Sequence, residues 1–359
     1  MRIFIWGTGN IAKKMLDHSD VFDTYDVLGF IDNDPAKTKS LFKGKQVFLP
    51  NILKEVRPDK IVVLTDYYND IKDQILSMYP DMEMLIENKN YFYRYAISER
   101  YKNSEDSEIK GILENINRND VRMFNYDFVD KYEEIEIDAY YDPECRMYYV
   151  YHEGKKLFFP KSIDSKKRAE VYYRSLLIEQ DLQSPHRYLD MDFNINQGNV
   201  VVDIGTAEGN FSLEIIDKVS KLYLIESEDE WIEALKETFK EYQEKVVIIP
   251  KFITSINAGK YATLDYLIDE PVDFIKMDIE GNEWDALLGA ERLIRESKNV
   301  KCAICSYHSN YDEVLIKDIL EKYGLKCSTT PGYVYWIPET SRYNYLSARL
   351  HRCIVRGSK

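Results

Sequence analysis

Short apolar runs alternate with helical patterns in residues 1–92 of the chain. The apolar runs predict four strands, at Arg2–Trp6, Val27–Ile31, Lys60–Leu64 and Glu83–Ile86. The segments between them predict helices at Ile11–Leu16, Pro50–Val56 and Asn69–Met78. Because strands that alternate with helices pair in parallel, we expect an N-terminal Rossmann-like domain built on a parallel sheet.

The pattern changes in residues 93–140, where charge is dense and strand alternation is missing. We interpret this segment as a helical connector, because it is too rich in isoleucine, phenylalanine and tyrosine to be disordered. A hairpin follows, with aromatic strands at Met147–His152 and Lys156–Phe159 and with Gly154 in the turn. An amphipathic helix is expected at Lys166–Asp181.

A second alternating series begins at Val200. Its strands are predicted at Val200–Ile204, Lys221–Glu226, Val246–Pro250, Asp273–Asp278 and Lys301–Tyr307, and two more strands at Tyr333–Ile337 and Cys353–Arg356. The fold class predicted for the chain is therefore α/β, with two Rossmann-like domains. The second domain covers residues 141–359 and ends in an antiparallel piece.

Charge and composition narrow the range of partners. The formal net charge of −14 and the pI near 5.0 disfavour nucleic acid and anionic membrane surfaces as partners. No apolar run approaches the roughly 18 residues of a membrane span, and the opening residues lack a signal-peptide layout. Five cysteines, an odd and sparse set, indicate reduced thiols. We therefore expect a cytoplasmic protein.

The sharpest motif follows the strand at Val200. The strand ends in Asp203, and Gly205 and Gly209 lie in the turn before the next helix, where they let backbone N–H groups approach a ligand. Glu226 ends the next strand, where an acidic side chain can bind ribose hydroxyls. A dinucleotide loop prefers a third glycine, and Asp203 suits a cationic ligand better than a pyrophosphate. S-adenosylmethionine is therefore the favoured cofactor, and a turn without ligand is the alternative.

A second motif carries carboxylates past the end of the strand Asp273–Asp278. Asp278 and Glu280 lie at the carboxyl edge of the sheet, which is where open α/β sheets bind ligands. Glu283 and Asp285 open the next helix, and capping of that helix is an alternative role for them. Glu283 is also a candidate for substrate binding.

His308 ends the neighbouring strand and should lie beside Asp278. A histidine with a pKa near neutrality can take a proton from a hydroxyl, so Asp278, Glu280 and His308 are the candidate catalytic residues. The same three side chains could instead hold Mg²⁺ or Mn²⁺. Metal-free chemistry is slightly favoured. Strand alternation argues against a zinc site at Cys302, Cys305 and His308, because Cys305 would face the opposite side.

Residues from about 140 onward resemble the FkbM family of methyltransferases. The pieces that carry the resemblance are Asp203–Ser212, Thr263–Asp265, Lys276–Glu283, Leu288–Ala290 and Tyr307–His308. It implies a class I S-adenosylmethionine-dependent methyltransferase fold and O-methylation, often of sugar hydroxyls. It also implies that the cofactor is bound by Asp203, Gly205, Gly209 and Glu226, with Asp278 nearby. The run Thr206–Glu208 departs from the usual family pattern, which leaves the role of Glu208 in cofactor binding open.

The run Ser184–Tyr188 precedes the first strand of the second domain. It combines a histidine, a cation and a phenol, so His186 and Tyr188 are candidate lid or substrate-binding residues. A structural turn around Pro185 is an equally good interpretation.

The N-terminal domain has a glycine motif of its own. Gly7, Gly9 and Asn10 follow a strand and open a helix in the pattern G-x-G-x-x-A, and Asp32 ends the next strand. This part resembles the Rossmann-like N-terminal domain of bacterial sugar O-acyltransferases. The resemblance implies a site for a sugar nucleotide or another nucleotide. A docking domain with an empty site is a nearly equal alternative.

The sequence thus predicts an S-adenosylmethionine-dependent O-methyltransferase. Its expected acceptor is a hydroxyl of a small molecule or glycan, such as a sugar of a surface glycan or its nucleotide-linked precursor. A homo-oligomer is left open. One alternative is an NAD(P)-dependent sugar-nucleotide oxidoreductase, for which no catalytic Tyr-Lys dyad is identifiable. The other is a non-catalytic nucleotide-binding protein.

Overall fold

The computed structural model describes residues 1–17, 19–337 and 345–359. The chain divides into two compact units. Unit 1 consists of residues 1–123 and 337–349, and unit 2 of residues 124–336 and 350–359. The division falls inside the predicted connector, residues 93–140. The assignment of residues 337–349 to unit 1 departs from the predicted domain 141–359, and no feature of the sequence indicated it.

Unit 1 contains a six-stranded sheet in the order β3-β4-β2-β1-β5-β6, in which only β3 is antiparallel. Its strands are β1 (Arg2–Trp6), β2 (Asp26–Ile31), β3 (Leu41–Phe42), β4 (Lys45–Phe48), β5 (Lys60–Val63) and β6 (Ile86–Glu87). Its helices are α1 (Asn10–Leu16), α2 (Val21–Thr24), α3 (Tyr68–Met78), α4 (Asn90–Tyr101) and α5 (Ser107–Arg118). Parallel strands covered on both faces read as continuous apolar runs, as Ile3–Trp6 does.

The predicted parallel sheet of unit 1 is confirmed, with differences at its edges. Strands β3 and β4 were not predicted, because they are short and partly polar. The segment Glu83–Ile86 is wrong as a strand: Pro80–Leu85 forms a 3₁₀ turn and only Ile86–Glu87 pairs. The expected helix at Pro50–Val56 is also a 3₁₀ turn, Pro50–Lys54. Further 3₁₀ turns lie at Pro35–Lys39, Asp127–Tyr132, Lys240–Tyr242 and Tyr345–Ser347.

Unit 2 opens with a three-stranded antiparallel sheet, β7-β8-β9, that includes the predicted hairpin. Its remaining strands form a seven-stranded sheet and two sheets of two strands each. The strands of unit 2 are β7 (Tyr140–Asp142), β8 (Met147–His152), β9 (Lys155–Phe158), β10 (Val200–Ile204), β11 (Lys221–Glu226), β12 (Val246–Pro250), β13 (Phe252–Ile253), β14 (Tyr261–Ala262), β15 (Phe274–Met277), β16 (Lys301–Cys305), β17 (Lys326–Thr329), β18 (Val334–Trp336), β19 (Arg349–His351) and β20 (Ile354–Ser358). Strand β19 begins at the last residue of unit 1.

The helices of unit 2 lie between these strands. They are α6 (Lys166–Glu179), α7 (Asn210–Ile215), α8 (Asp229–Thr238), α9 (Leu264–Leu267), α10 (Glu283–Leu288), α11 (Glu291–Glu296) and α12 (Asp312–Lys322). Ser165 caps α6 by accepting a hydrogen bond from the Arg168 N–H. No helix among the described residues has the length and apolarity that a membrane crossing needs.

The seven-stranded sheet has the order β12-β11-β10-β15-β16-β20-β17, and β20 is antiparallel to both its neighbours. This is the α/β arrangement with an antiparallel end that the sequence predicted. The order reverses between β10 and β15, because the chain first adds β11 and β12 on one side and later β15 and β16 on the other. In open α/β sheets such a reversal leaves a crevice at the carboxyl ends of the strands.

The reversal requires a glycine at position 205. Gly205 has φ +69, and a Cβ built there would lie 1.8 Å from the Asp278 carbonyl oxygen that follows β15. The glycine therefore lets the two strand ends approach each other. The close contact between two segments of backbone is thus a second reason for glycine at position 205, beside the ligand approach expected from the sequence.

Gly205→Ala should destabilise unit 2 more than Gly198→Ala does. Gly198 is a matched control, since its φ is +85 and a Cβ there meets no atom within 4 Å. Left-handed strain alone should cost roughly 1–2 kcal/mol at position 198, and displacement of the Asp278 carbonyl should raise the cost at position 205 to about 3 kcal/mol or more. Urea unfolding followed by tryptophan fluorescence measures both. Equal losses would contradict the role given to Gly205.

Candidate active site

A cavity of about 350 Å³ lies at the carboxyl ends of β10, β11 and β15 in unit 2. Its walls include the residues after each strand end, and Trp231 and Phe252 add aromatic surface. Two of its residues have left-handed backbones without being glycine, Ala207 at φ +47 and Glu280 at φ +56. The size and position fit a small organic ligand bound at the reversal of the sheet.

Glu226 ends β11 and faces this cavity. One carboxylate oxygen, Oε2, accepts the Ala207 N–H at 3.0 Å. The other, Oε1, accepts the N–H groups of Ser227 and Glu228 at 2.6 and 2.9 Å. A carboxylate has about four acceptor positions, so three backbone bonds leave one on Oε2 for a ligand hydroxyl.

Asp203, predicted to bind the cofactor, is fully buried and does not line the cavity. Its carboxylate lies 3.0 Å from the Lys276 ammonium and accepts the Ser212 hydroxyl at 2.7 Å. Burial raises the pKa of Asp203, and Lys276 and Ser212 oppose that rise. Lys276 also donates to the Gly205 carbonyl at 2.6 Å. The structure thus places Asp203 behind the glycine turn, where it fixes that turn through Lys276.

Gly209 and Glu208 also face away from the cavity. Gly209 precedes α7 at φ +83, and a Cβ there would lie 2.8 Å from the Phe239 ring. Glu208 is 4% exposed and accepts the Tyr172 hydroxyl at 2.8 Å. Burial raises the pKa of Glu208 to about 7, and the Tyr172 hydrogen bond limits the rise. Both residues therefore shape the loop between β10 and α7.

Asp278 follows β15 and lines the cavity, and its carboxylate also contacts two buried side chains. The Tyr188 hydroxyl donates to its Oδ2 at 3.1 Å, and the His186 Nε2 is 3.6 Å from the same oxygen. Burial alone would raise the pKa of Asp278, but His186, His308 and Lys276 lower it well below its usual range. Asp278 is therefore a stable carboxylate anion.

His308 follows β16 and lies among three carboxylates. Its Nδ1 is 3.1 Å from Glu283 Oε1, and its Nε2 is 3.5 Å from Asp278 Oδ1 and 3.7 Å from Glu280 Oε2. Burial lowers the pKa of His308, but these carboxylates outweigh burial and raise it to about 9. The sequence expected a pKa near neutrality. Without a bound ligand the imidazole is instead mostly protonated at pH 7.

The two glutamates of the second motif occupy different surroundings. The Glu280 side chain is 79% exposed at the rim of the cavity, whereas that of Glu283 is 1% exposed at the start of α10. Glu283 accepts the Ile279 N–H at 2.9 Å, so it stabilises the turn before its helix as well as facing His308. The structure brings Asp278, Glu280 and His308 together, as predicted from adjacent strands, and it adds Glu283 to them.

The run Ser184–Tyr188 lies in the interior and not over the cavity. His186 and Tyr188 are 2% and 4% exposed, and neither lines the cavity. The His186 ring contacts Tyr307 and Cys305, with Nε2 3.3 Å from the Tyr307 hydroxyl and 3.7 Å from the Cys305 Sγ. An exposed lid is therefore wrong for this run. The contacts of both residues with Asp278 give them a positioning role.

Two groups of side chains in the described part of the chain have the spacing of metal ligands. One consists of His186, Asp278 and Cys305, and the other of Asp278, Glu283 and His308. The second differs from the predicted set because Glu283 takes the place of Glu280.

Sequence reasoning missed several residues of this site. Burial raises the pKa of Glu179, the last residue of α6; His186 opposes that rise, and the charges of Asp278 and Glu280 add to it. The Trp336 ring lies edge-on to His308 with ring centres 5.5 Å apart. Neither residue belongs to a motif, because each reaches the site from an element distant in sequence. Lys276 lies within the second motif of the sequence, but its pairing with the buried Asp203 was not predicted.

The glycine motif of unit 1 lines a separate cavity of about 350 Å³, which includes Gly7, Gly9, Asn10 and Asp32. Asp32 accepts the Thr8 hydroxyl at 2.5 Å and is 2.8 Å from the Lys37 ammonium. Burial would raise the pKa of Asp32, but Lys37 and Thr8 lower it. A ribose hydroxyl would therefore compete with Lys37 for this carboxylate.

The N-terminal and C-terminal parts of the chain match two different protein families. Residues 196–327 match the family described as Methyltransferase FkbM domain. Residues 1–86 match the family described as C2185-like, N-terminal. The resemblance of the N-terminal part to sugar O-acyltransferases is thus not confirmed.

One curated relative is the probable ribosomal RNA small subunit methyltransferase A of Methanococcoides burtonii, 31% identical over 84 residues. The match covers 22% of this chain and only 31% of that protein. Among solved structures, the chain is similar to methyltransferase FkbM from Methylobacillus flagellatus KT, with 17% identity, a TM-score of 0.44 and coverage of 99% of this chain and 89% of that one. A SAM-dependent methyltransferase from Aquifex aeolicus has 16% identity, a TM-score of 0.32 and coverage of 50% and 90%. Residues 196–327 are therefore similar to the FkbM methyltransferase domain, and this part of the chain includes β10, β11, β12, β15 and β16 of the seven-stranded sheet.

Proposed function

We propose that unit 2 transfers a methyl group from S-adenosylmethionine to a hydroxyl of a small molecule or glycan, with a sugar hydroxyl as the favoured acceptor. The cavity at the reversal of the sheet carries the proposal, because it joins a ribose-type carboxylate, Glu226, to an acidic cluster around Asp278. The match of residues 196–327 to the FkbM methyltransferase domain supports this reaction class.

The cofactor would lie across the end of β10. Glu226 offers its remaining acceptor position to a ribose hydroxyl, and Trp231 and Phe252 offer apolar surface to the adenine. The sulfonium would then point toward Asp278, whose negative charge favours a cationic ligand. Asp203, being neutralised by Lys276, supports this site from behind.

Methyl transfer needs the acceptor oxygen in line with the sulfonium and partial removal of its proton. The groups near that position are Asp278, Glu280 and His308. His308 can accept the proton only after losing its own, because the carboxylates raise its pKa to about 9. Mg²⁺ or Mn²⁺ beside the acceptor is the alternative means of making the hydroxyl more acidic.

The acidic surroundings also bear on the acceptor. Asp278 and Glu280 line the cavity, and the whole chain has a net charge of −14. Such a field repels polyanions, so we favour a neutral or cationic acceptor over nucleic acid.

Glu226→Gln should weaken S-adenosylmethionine binding by roughly 1.5–3 kcal/mol, because a charge-assisted hydrogen bond to the ribose is lost. Glu228→Gln is the matched control, since it removes the same charge from an exposed residue of the same cavity. Isothermal titration of the full chain with S-adenosylmethionine, NAD and sugar nucleotides measures both effects. Binding of NAD in place of S-adenosylmethionine, or equal affinity in all three proteins, would exclude the proposed site.

Glu208→Gln should stabilise unit 2 at pH 8 and leave its stability nearly unchanged at pH 5. The pKa of Glu208 is raised from 4.5 to about 7, so the folded protein keeps a proton that the unfolded chain releases. Stability therefore falls as pH rises between these values, by roughly 3 kcal/mol in total. Glutamine avoids this loss and still accepts the Tyr172 hydroxyl.

Glu214→Gln is the control for this prediction, because Glu214 is partly exposed and pairs with Arg187 at 2.8 Å. Its replacement should give no gain at pH 8. Urea unfolding at the two pH values measures the difference, and a Glu208→Gln protein less stable than wild type at pH 8 would show that the fold does not raise the pKa of Glu208.

A further inference from the structure

Four polar atoms beside the cavity are buried without a hydrogen-bond partner among the described residues. They are Asp278 Oδ1, Glu283 Oε2 and both ring nitrogens of His308. The side chains of Glu283 and His308 are only 1% and 4% exposed. Buried polar atoms are nearly always paired, so a convergent group of unpaired ones indicates a missing partner.

The spacing of these groups suits one shared ion. One ligand atom from each of Asp278, Glu283 and His308 lies within 4.8 Å of the other two. Two atoms bound to one cation at roughly 2.1 Å are about 3 Å apart at a right angle and about 4.2 Å apart when opposite. Closure by at most about 1.8 Å would therefore complete the site.

We propose that Asp278, Glu283 and His308 bind a divalent cation of the Mg²⁺ and Mn²⁺ class at the carboxyl edge of the seven-stranded sheet. Carboxylate oxygens are the protein ligands that both ions prefer, and an imidazole in the set favours Mn²⁺. The set contains no thiolate, which soft metals would select.

Direct pairing between His308 and the carboxylates satisfies these atoms poorly. The separations of 3.5 and 3.7 Å from its Nε2 exceed hydrogen-bond distance. The His308 Nδ1 is 3.1 Å from Glu283 Oε1, but the direction is not that of a hydrogen bond. Both ring nitrogens therefore remain unpaired. A cation bound to one ring nitrogen of His308 would satisfy that nitrogen and both carboxylates together.

Neighbouring groups hold each ligand in place. The His308 ring lies against Tyr307 at 4.1 Å and Trp336 at 5.5 Å between ring centres. Glu283 accepts the Ile279 N–H, and Asp278 accepts the Tyr188 hydroxyl. Supporting contacts of this kind orient metal ligands in proteins.

The role of the cation rests on the proposed methyl transfer. Asp278 belongs both to this ligand set and to the lining of the cofactor cavity, so a bound cation would lie near the place where the acceptor would bind. A hydroxyl bound to a divalent cation is more acidic than a free one. The cation would lower the pKa of the acceptor hydroxyl, whose proton would pass to solvent water while the methyl group moves from the sulfonium to the oxygen and S-adenosylhomocysteine leaves.

Binding of Mn²⁺ to the full chain tests the site without any acceptor. The protein is freed of metal with EDTA and titrated with Mn²⁺, and the paramagnetic resonance signal of free Mn²⁺ is followed. Wild type and Glu280→Gln should each bind one Mn²⁺ per chain. Glu283→Gln, which keeps an acceptor for the Ile279 N–H, should bind at least about 100-fold more weakly. Asp278→Asn should show the same loss, which covers the case that one variant misfolds.

Absence of Mn²⁺ binding by wild type, or equal binding by Glu283→Gln, would overturn the proposal. Loss in Glu280→Gln with retention in Glu283→Gln would overturn the ligand set. Thermal unfolding in EDTA verifies that each variant is folded. Titration with S-adenosylmethionine in EDTA separates the two hypotheses. Cofactor binding without Mn²⁺ binding overturns the cation site alone, and Mn²⁺ binding without cofactor binding supports the cation site and overturns the proposed methyl transfer.

Discussion

A buried lysine connects the two strands on which the candidate active site depends. Lys276 on β15 reaches across to β10, where it pairs with Asp203 at 3.0 Å and donates to the Gly205 carbonyl at 2.6 Å. Removing one partner of such a pair leaves an uncompensated buried charge, which is strongly destabilising. Both strand ends, and therefore Gly205 and Asp278, are positioned by this single cation. The cavity between them is a consequence of that connection.

The acidic cluster around Asp278 belongs to the same arrangement. Three carboxylates, from Asp278, Glu280 and Glu283, meet near His308 although like charges repel. Dispersing these side chains would make the fold more stable, since each buried carboxylate loses hydration. Concentrated charge of one sign is typical of sites that bind a cationic partner. S-adenosylmethionine and a divalent cation are both partners of that kind.

Several strands of the two sheets, and one contact of the candidate active site, were predictable from the local pattern of apolar residues. Apolar runs predicted β10, β11, β12 and β1 with correct bounds. Strands β10, β11 and β1 are buried over most of their length, and strands buried on both faces are continuously apolar. Strand β12 is only partly buried at the edge of the sheet, but it too is a continuous apolar run. The meeting of Asp278 and His308 followed from adjacent parallel strands. The partner of Asp203, the interior position of His186 and the arrival of Glu179 could not be predicted. Each depends on side-chain packing between elements far apart in sequence, which periodicity does not encode.

The left-handed residues Ala207 and Glu280 have a consequence for the motion of the cavity walls. Glycine would adopt φ values of +47 and +56 without strain, yet the chain has residues with a Cβ at both places. Each such residue restricts the unfolded chain and its own loop more than glycine would. The two segments that face the ligand are therefore stiff, and a rigid wall loses little conformational entropy when the ligand binds. The local strain at these two residues thus accompanies a binding site that is formed before its ligand binds.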